Sequence, residues 1–131
     1  MKNKLCLLLI LSSFVLNIHA QKSIRIGIIG LDTSHSVAFT DLINGDKDNA
    51  FAKGFRIVAA YPYGSKTIES SAKRIPGYIK KVEQQGVEIV SSISELLDKV
   101  DCVLLETNDG RLHLEPVSYT HLRAHETDQY L

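Results

Sequence analysis

The chain has only two cysteines, no tryptophan and no net charge, with 15 Lys+Arg against 15 Asp+Glu over 131 residues. Each shortage excludes something. Without a basic excess there is no electrostatic footprint for a nucleic acid or an anionic membrane. Cys6 lies in the N-terminal apolar run, so Cys102 stands alone in the remainder, and one cysteine makes no internal disulfide. Cys102 opens the apolar string CVLL and reads as a buried, inert thiol. The longest hydrophobic run, Leu5 to Leu16, has about a dozen residues and falls short of the roughly 20 that span a bilayer. No internal repeat or low-complexity stretch is present. What the chain does have is ordinary apolar content, 44%, which suits a globular fold rather than a disordered one.

Neither end reads as part of that fold. Residues 1–20 have the form of a secretory signal peptide. Lys2 and Lys4 make the charged start, the apolar run follows, and Ala20 supplies the small residue before a cut near Gln21. The expected location is therefore exported, periplasmic or secreted, with no stable membrane anchoring. There is no twin-arginine pair, so export would take the unfolded chain. At the other end, VSYTHLRAHET (Val117 to Thr127) resembles, without a break, the translation of a sequencing-library adapter, with Pro116 at the junction. Residues 116–131 are set aside as a non-native tail. The i, i+4 spacing of His121 and His125, which on a helix would suggest a metal pair, goes with them.

Residues 21–115 alternate between two kinds of pattern. Ile24 to Ile29 (IRIGII) is a short β-branched run suited to a strand covered on both faces. Ser34 then caps a helix carrying Val37, Ala38, Leu42 and Ile43, which Asn44-Gly45 stops. Asp46 to Gly54 is a polar loop from which Ala50 and Phe51 pack back. Phe55 to Tyr61 is a second strand, and Pro62-Tyr63-Gly64 a turn. Ser65 is suited to cap a helix with Ile68, Ala72 and Ile75 on one face, ended by Pro76-Gly77; a further short helix holds Tyr78 to Gln85 and ends at Gly86. Val87 to Val90 is a third strand. Ser92-Ile-Ser-Glu95 is a capping box, in which the hydroxyl takes the amide of residue 95 and the Glu95 carboxylate reaches back to residue 92. That helix carries Ile93, Leu96 and Leu97. Cys102 to Glu106 is a fourth strand, and Thr107 to His113 a polar loop.

Strands alternating with helices at this spacing specify an α/β fold with a parallel sheet. Right-handed crossovers make it a partial Rossmann-like, doubly wound sheet of about four strands in the order 3-2-1-4. Ligands in such sheets bind beyond the carboxyl ends of the strands. Those ends are Gly30 to His35, Tyr61 to Lys66 and Thr107 to His113, where the polar residues of interest collect. The first of these turns matches the dinucleotide fingerprint G-x-G-x-x-G poorly. Gly30 fits its first glycine, while Asp32 and His35 occupy the second and third positions.

The longer strings are more specific than the motif. IRIGIIGLDTSH (Ile24 to His35), VAAYPYGSK (Val58 to Lys66) and ELLDKVDCVLLETNDGRLHLE (Glu95 to Glu115), in this order, resemble the N-terminal domain of the Gfo/Idh/MocA family of oxidoreductases. The resemblance covers residues 24–115 and is nearest to a divergent branch with a glycine-poor first turn. It implies a Rossmann domain that binds NAD or NADP, followed in family members by an α/β domain that completes the site for a sugar or polyol. It also allows a homo-oligomer. The family's phosphate turn maps onto Gly30, Asp32, Thr33, Ser34 and His35. Its acidic residue after the second strand is replaced by Pro62, with Ser65 and Lys66 following; a lysine there suits a 2′-phosphate, and capping and solvation are its plain roles. Its Thr-Pro/Asn element matches Thr107 and Asn108, and its His-x-Glu matches His113 and Glu115. The Glu-Lys-Pro segment that carries the family's catalytic lysine has no counterpart, because the pattern is left at Pro116.

Each of these residues also has a plain structural role. Gly30 serves a sharp strand exit. Asp32 near a pyrophosphate would repel it unless a metal or an adjacent cation intervenes, and its plain role is to cap the following helix. Thr33 and Ser34 either donate to a phosphate or act as caps. His35 is expected to be packed and bonded to backbone. Thr107 and Asn108 are contacts for a ribose or nicotinamide, or ordinary turn residues. Tyr61 and Tyr78 read as core or rim aromatics. Asp32, His35, Asp109 and His113 show no recognised ligand spacing, so no metal is expected. The expectation is the N-terminal nucleotide-binding part of an exported NAD(P)-dependent oxidoreductase, inactive by itself and without catalytic residues of its own. The alternative is a non-catalytic Rossmann-like binding or scaffold protein that has lost its cofactor.

Overall fold

The structure is a computed structural model that describes residues 23–45, 50 and 52–119. The expected signal peptide, Phe51 and the tail beyond Tyr119 lie outside these residues. The four expected strands are present: β1 (Ile24–Ile29), β2 (Phe55–Tyr61), β3 (Glu88–Ile89) and β4 (Cys102–Leu105). All pairings are parallel and the sheet order is β3-β2-β1-β4. The helices are α1 (Ser34–Thr40), α2 (Glu69–Glu83) and α3 (Ile93–Lys99). A π-type turn over Asp41–Gly45 extends α1, and a 3-10 turn spans Gly110–Leu112.

Period-2 alternation divides β1 between two cores. Ile26 and Ile28 join Leu31, Ile57, Ala60, Val82 and Val87 on one face, where Val37 of α1 and Tyr78 and Ile79 of α2 pack against them. Ile29 joins Ala59, Val90, Ile93 and Leu96 of α3 on the other. Both faces of the sheet are thus covered, which accounts for the near-continuous apolar strands. Gly27 makes the second core possible. A Cβ there would lie 2.7 Å from Leu96 Cδ2 and 3.2 Å from Val100 Cγ1, so only glycine lets α3 come this close to β1.

Several local expectations are corrected. Pro76-Gly77 does not end a helix: α2 runs unbroken from Glu69 to Glu83. An interior proline costs about 3 kcal/mol. Packing fully buried Val82 and the partly buried Tyr78 and Ile79 against the sheet offsets this, at about 1.5–3 kcal/mol for a fully buried large side chain and less for a partly buried one. Ala72, expected on the packed face, is exposed, and Ser71 is buried in its place. Gly86, at φ +79°, does terminate the helix as expected, its amide donating to Glu83 O at 2.9 Å.

In α1 the buried positions are Ser36 and Thr40, whereas Ala38 and Leu42 are exposed. The hydroxyls bond backward to Thr33 O (2.8 Å) and Ser36 O (2.7 Å), so their burial strands no polar group. Asn44 does more than stop the helix. Its side-chain amide exchanges two bonds with Ile57, at 3.0 Å from Ile57 N and 2.8 Å to Ile57 O. It serves as a short surrogate strand beside the β2 irregularity, where the partner of β1 skips from Ile57 to Ala59. Ala50 is exposed rather than packed back.

Ser92 caps α3 as expected, accepting from Glu95 N at 3.1 Å. The Glu95 carboxylate, however, takes the amide of Ser91 (2.9 Å) rather than that of Ser92. Cys102 is exposed, not buried, because β4 is an edge strand and Cys102 is its first residue. Residues 114–119 are helical and Pro116 is buried, so the chain remains ordered just past Glu115. Among the described residues no helix is long and apolar enough to cross a membrane.

Candidate functional site

The sheet order brings three loops to one rim. The chain builds outward from β1 through β2 to β3, then crosses back to place β4 on the other side of β1. The point between β1 and β4 is where such sheets open a crevice for a ligand. Its borders are the Gly30–His35 turn and the Thr107–His113 loop, with Tyr61–Lys66 on the far side of β1.

The three loops are sewn together by backbone. Gly30 N donates to Tyr61 O and Leu31 N to Tyr63 O, each at 3.0 Å, and Glu106 N donates to Ile29 O at 2.8 Å. Gly30 has φ +109°, and a Cβ there would stand 2.7 Å from the carbonyl carbon of Glu106 and 2.8 Å from Thr107 Cγ2. Its freedom is therefore spent on close packing against the β4 exit.

Asp32 is the centre of the rim, and it does not cap α1. The N-cap position belongs to Thr33, whose side chain makes no cap bond. Asp32 is 0% exposed. Its Oδ2 accepts from Ser65 N at 3.1 Å and its Oδ1 from Asn108 N at 3.0 Å. One carboxylate thus ties the β2 exit and the β4 exit to the β1 exit. Gly64 leaves room for it: a Cβ there would meet Asp32 Cβ and Cγ at 2.8 Å. Sequence reasoning missed this role because Ser65 and Asn108 are far away along the chain.

Ser65 is buried as well and does not cap α2, whose N-cap position is Ile68. Its hydroxyl donates to Asp109 Oδ2 (3.3 Å) and accepts from Ile68 N (3.3 Å), with Thr67 Oγ1 at 3.2 Å. Asp109 in turn holds Arg111 Nη2 at 2.7 Å and Arg111 N at 3.1 Å. The Arg111 guanidinium is the main reason that the Asp109 carboxyl falls to about 2. Asn108 sends its side-chain amide to Ser71 Oγ, 3.1 Å away. His113 places Nε2 at 3.2 Å from Thr107 O. Tyr63, stacked on Tyr61, donates its hydroxyl to Glu115 Oε2 at 2.6 Å, and that bond raises its pKa to about 12. Tyr61 and Tyr78 are half-buried, at the rim and on the core.

The proposed contacts therefore fall into two groups. Gly30, Asp32, Ser65, Asn108 and His113 are engaged in building the rim. Ser34, His35 and Lys66 are exposed on it. His35 is not packed on backbone as expected. Its side chain is 73% exposed, with Nδ1 at 3.8 Å from Glu106 Oε2. Glu106, unnoticed at the end of the CVLLE string, is largely covered, and this burial raises its carboxyl above the ordinary range. Thr33 and Thr107 remain. Their Oγ1 atoms are buried and have no hydrogen-bond partner. Among the described residues no group of three His, Cys, Asp or Glu is gathered to hold a metal.

Comparison with known proteins finds no matching family model, curated protein or solved structure.

Proposed function

We propose that this rim binds NAD or NADP, and that the chain is the nucleotide-binding part of an exported oxidoreductase of the Gfo/Idh/MocA type that acts on sugars or polyols. The observation that carries the proposal is the pair of unpartnered hydroxyls, Thr33 Oγ1 and Thr107 Oγ1. They sit at the exits of β1 and β4, the paired strands between which the order of the sheet reverses, where sheets of this kind bind ligands. A buried hydroxyl without a partner costs about 1–3 kcal/mol, and a polar ligand at the crevice would remove that cost. Ser34 and His35 would meet the ligand on the β1 side, Asn108 and His113 support the β4 side, and Lys66 stands at the β2 side. When bound, the nicotinamide supplies the hydride chemistry; these residues bind and orient it. None of them is assigned a proton-transfer step, and the chain by itself is expected to turn over no polyol.

Calorimetric titration of the chain with NAD+ and NADP+ tests the proposal. A saturable heat is expected with at least one of them. Thr107→Val, which removes only the hydroxyl, is expected to weaken that binding while leaving the thermal midpoint unchanged or higher. Absence of heat with both dinucleotides would overturn the proposal.

One observation favours a second reading, a binding or scaffold protein without cofactor. The buried Asp32 carboxylate stands where the fingerprint has its second glycine, and at about 4 Å from a phosphate it would oppose binding by roughly 1–4 kcal/mol. A silent titration of the intact, cooperatively folding chain is the result expected on this reading.

A further inference from the structure

We infer that the small molecule taken at the β4 exit carries a primary ammonium beside its hydroxyls, an amino-polyol rather than a neutral one, with the ammonium on Glu106. If the rim is the oxidoreductase site proposed above, this is its substrate class; the binding itself needs no dinucleotide.

Glu106 differs from every other carboxylate described at the rim. Asp32 accepts from the amides of Ser65 and Asn108. Asp109 accepts from Arg111 and Ser65, and Glu115 from the Tyr63 hydroxyl. Among the described residues none donates a hydrogen bond to Glu106. The one charged group that faces it is His35, whose Nδ1 stands 3.8 Å from Oε2, beyond hydrogen-bond reach, on a side chain that is itself mostly in solvent. Yet the Glu106 side chain is only 16% exposed. A carboxylate this covered ordinarily has donors, and the opening that remains lets a small group reach it.

Its place is fixed by the backbone. Glu106 N donates to Ile29 O, and the Glu106 carbonyl packs against Gly30. Two residues beyond Leu104, its side chain lies on the sheet face that α1 covers. The next residue, Thr107, is 8% exposed and its Oγ1 has no partner. Thr33, at the N-cap position of α1 and two residues before His35, also has a buried, unpartnered Oγ1. This corner therefore offers one acceptor with charge and two hydroxyls that either donate or accept. A phosphate only accepts and would be repelled by Glu106. A polyol hydroxyl donates one hydrogen without charge. An alkylammonium brings three N–H donors and the compensating charge, and neighbouring hydroxyls on the same ligand answer Thr33 and Thr107. A divalent cation would want further carboxylates, and among the described residues none are gathered.

The test titrates the whole chain with sorbitol, with its terminal amine glucamine, and with the trimethylammonium derivative of glucamine, following the backbone amide resonances. Glucamine is expected to bind about ten- to a hundredfold more tightly than sorbitol and to shift the amides of Glu106 and Thr107. The trimethylammonium derivative, which keeps the charge but has no N–H, is expected to lose most of that gain. In Glu106→Gln the ratio of glucamine to sorbitol affinity falls to about one, with an unchanged or higher thermal midpoint showing that the variant folds. Thr107→Val weakens both ligands and leaves their ratio in place. Absence of saturable glucamine binding, equal binding of glucamine and sorbitol, a trimethylammonium derivative as tight as glucamine, or a ratio unmoved in Glu106→Gln overturns the inference and leaves the dinucleotide proposal standing, since no dinucleotide enters these titrations. Glucamine bound through Glu106 by a chain silent toward NAD+ and NADP+ would uphold the amine site and remove the oxidoreductase.

Discussion

Replacing Asp32 with Asn separates a staple from a cap. The change keeps the shape and one carbonyl oxygen but turns the other acceptor into an NH2 donor. The two groups facing the side chain, Ser65 N at 3.1 Å and Asn108 N at 3.0 Å, are both donors. Only one can be satisfied by Asn, and the other meets a donor; the loss is greatest at Ser65 N, whose bond to Asp32 is buried, whereas that of Asn108 N is part-buried. Hydrogen bonds to a charged group contribute about 1.5–3 kcal/mol, and an orphaned buried amide costs about 1–3 kcal/mol. Burying a neutral amide is cheaper than burying a carboxylate and offsets part of this. The net expectation is a loss of about 2–4 kcal/mol in urea unfolding. Hydrogen exchange at Ser65 or Asn108 should accelerate with it. If Asp32 acted as a helix cap, Asn would serve nearly as well and the change would be worth a few tenths of a kcal/mol at most. A loss below about 0.5 kcal/mol, with both amides exchanging at their original rates, would refute the staple.

Two further perturbations have definite signs. Pro76 lies exposed inside α2, so Pro76→Ala restores a backbone donor toward Ala72 and is expected to raise stability by about 1–2 kcal/mol, after allowing for the stiffer unfolded chain of the proline form; a lowered urea midpoint would contradict this. The Asp109 carboxyl drops from its ordinary 3.8 to about 2 in the fold, so its contribution is present above about pH 4 and is lost as pH falls through about 2. The thermal midpoint of Asp109→Asn should therefore lie below that of the parent at pH 6 and approach it between pH 4 and 2; a gap that stays constant over that range would count against the Arg111 contact as its source.

The elements and the candidate site were legible to different degrees. The strings IRIGII, FRIVAAY and CVLL announce strands because a sheet covered on both faces needs continuous β-branched and apolar residues. Ser92 announces α3 because a cap is a bond between residues three apart. The interior of α2 is not legible at Pro76-Gly77, since local propensity disfavours a helix there and only the sheet beneath Tyr78, Ile79 and Val82 outweighs it. The apolar string CVLL predicts a buried Cys102; its exposure follows from β4 being the sheet's edge.

The sequence by itself determined a parallel α/β sheet, its strand order, and the three loops that meet at its carboxyl rim, because hydrophobic period and crossover handedness are properties of short stretches of chain. Only the tertiary structure decided what the rim residues do. It turned Asp32 and Ser65 inward, left His35 and Lys66 outside, and stranded the hydroxyls of Thr33 and Thr107. The reason is that a buried carboxylate must find donors wherever the fold brings them, and the amides of Ser65 and Asn108 become its neighbours only once the sheet has closed around β1.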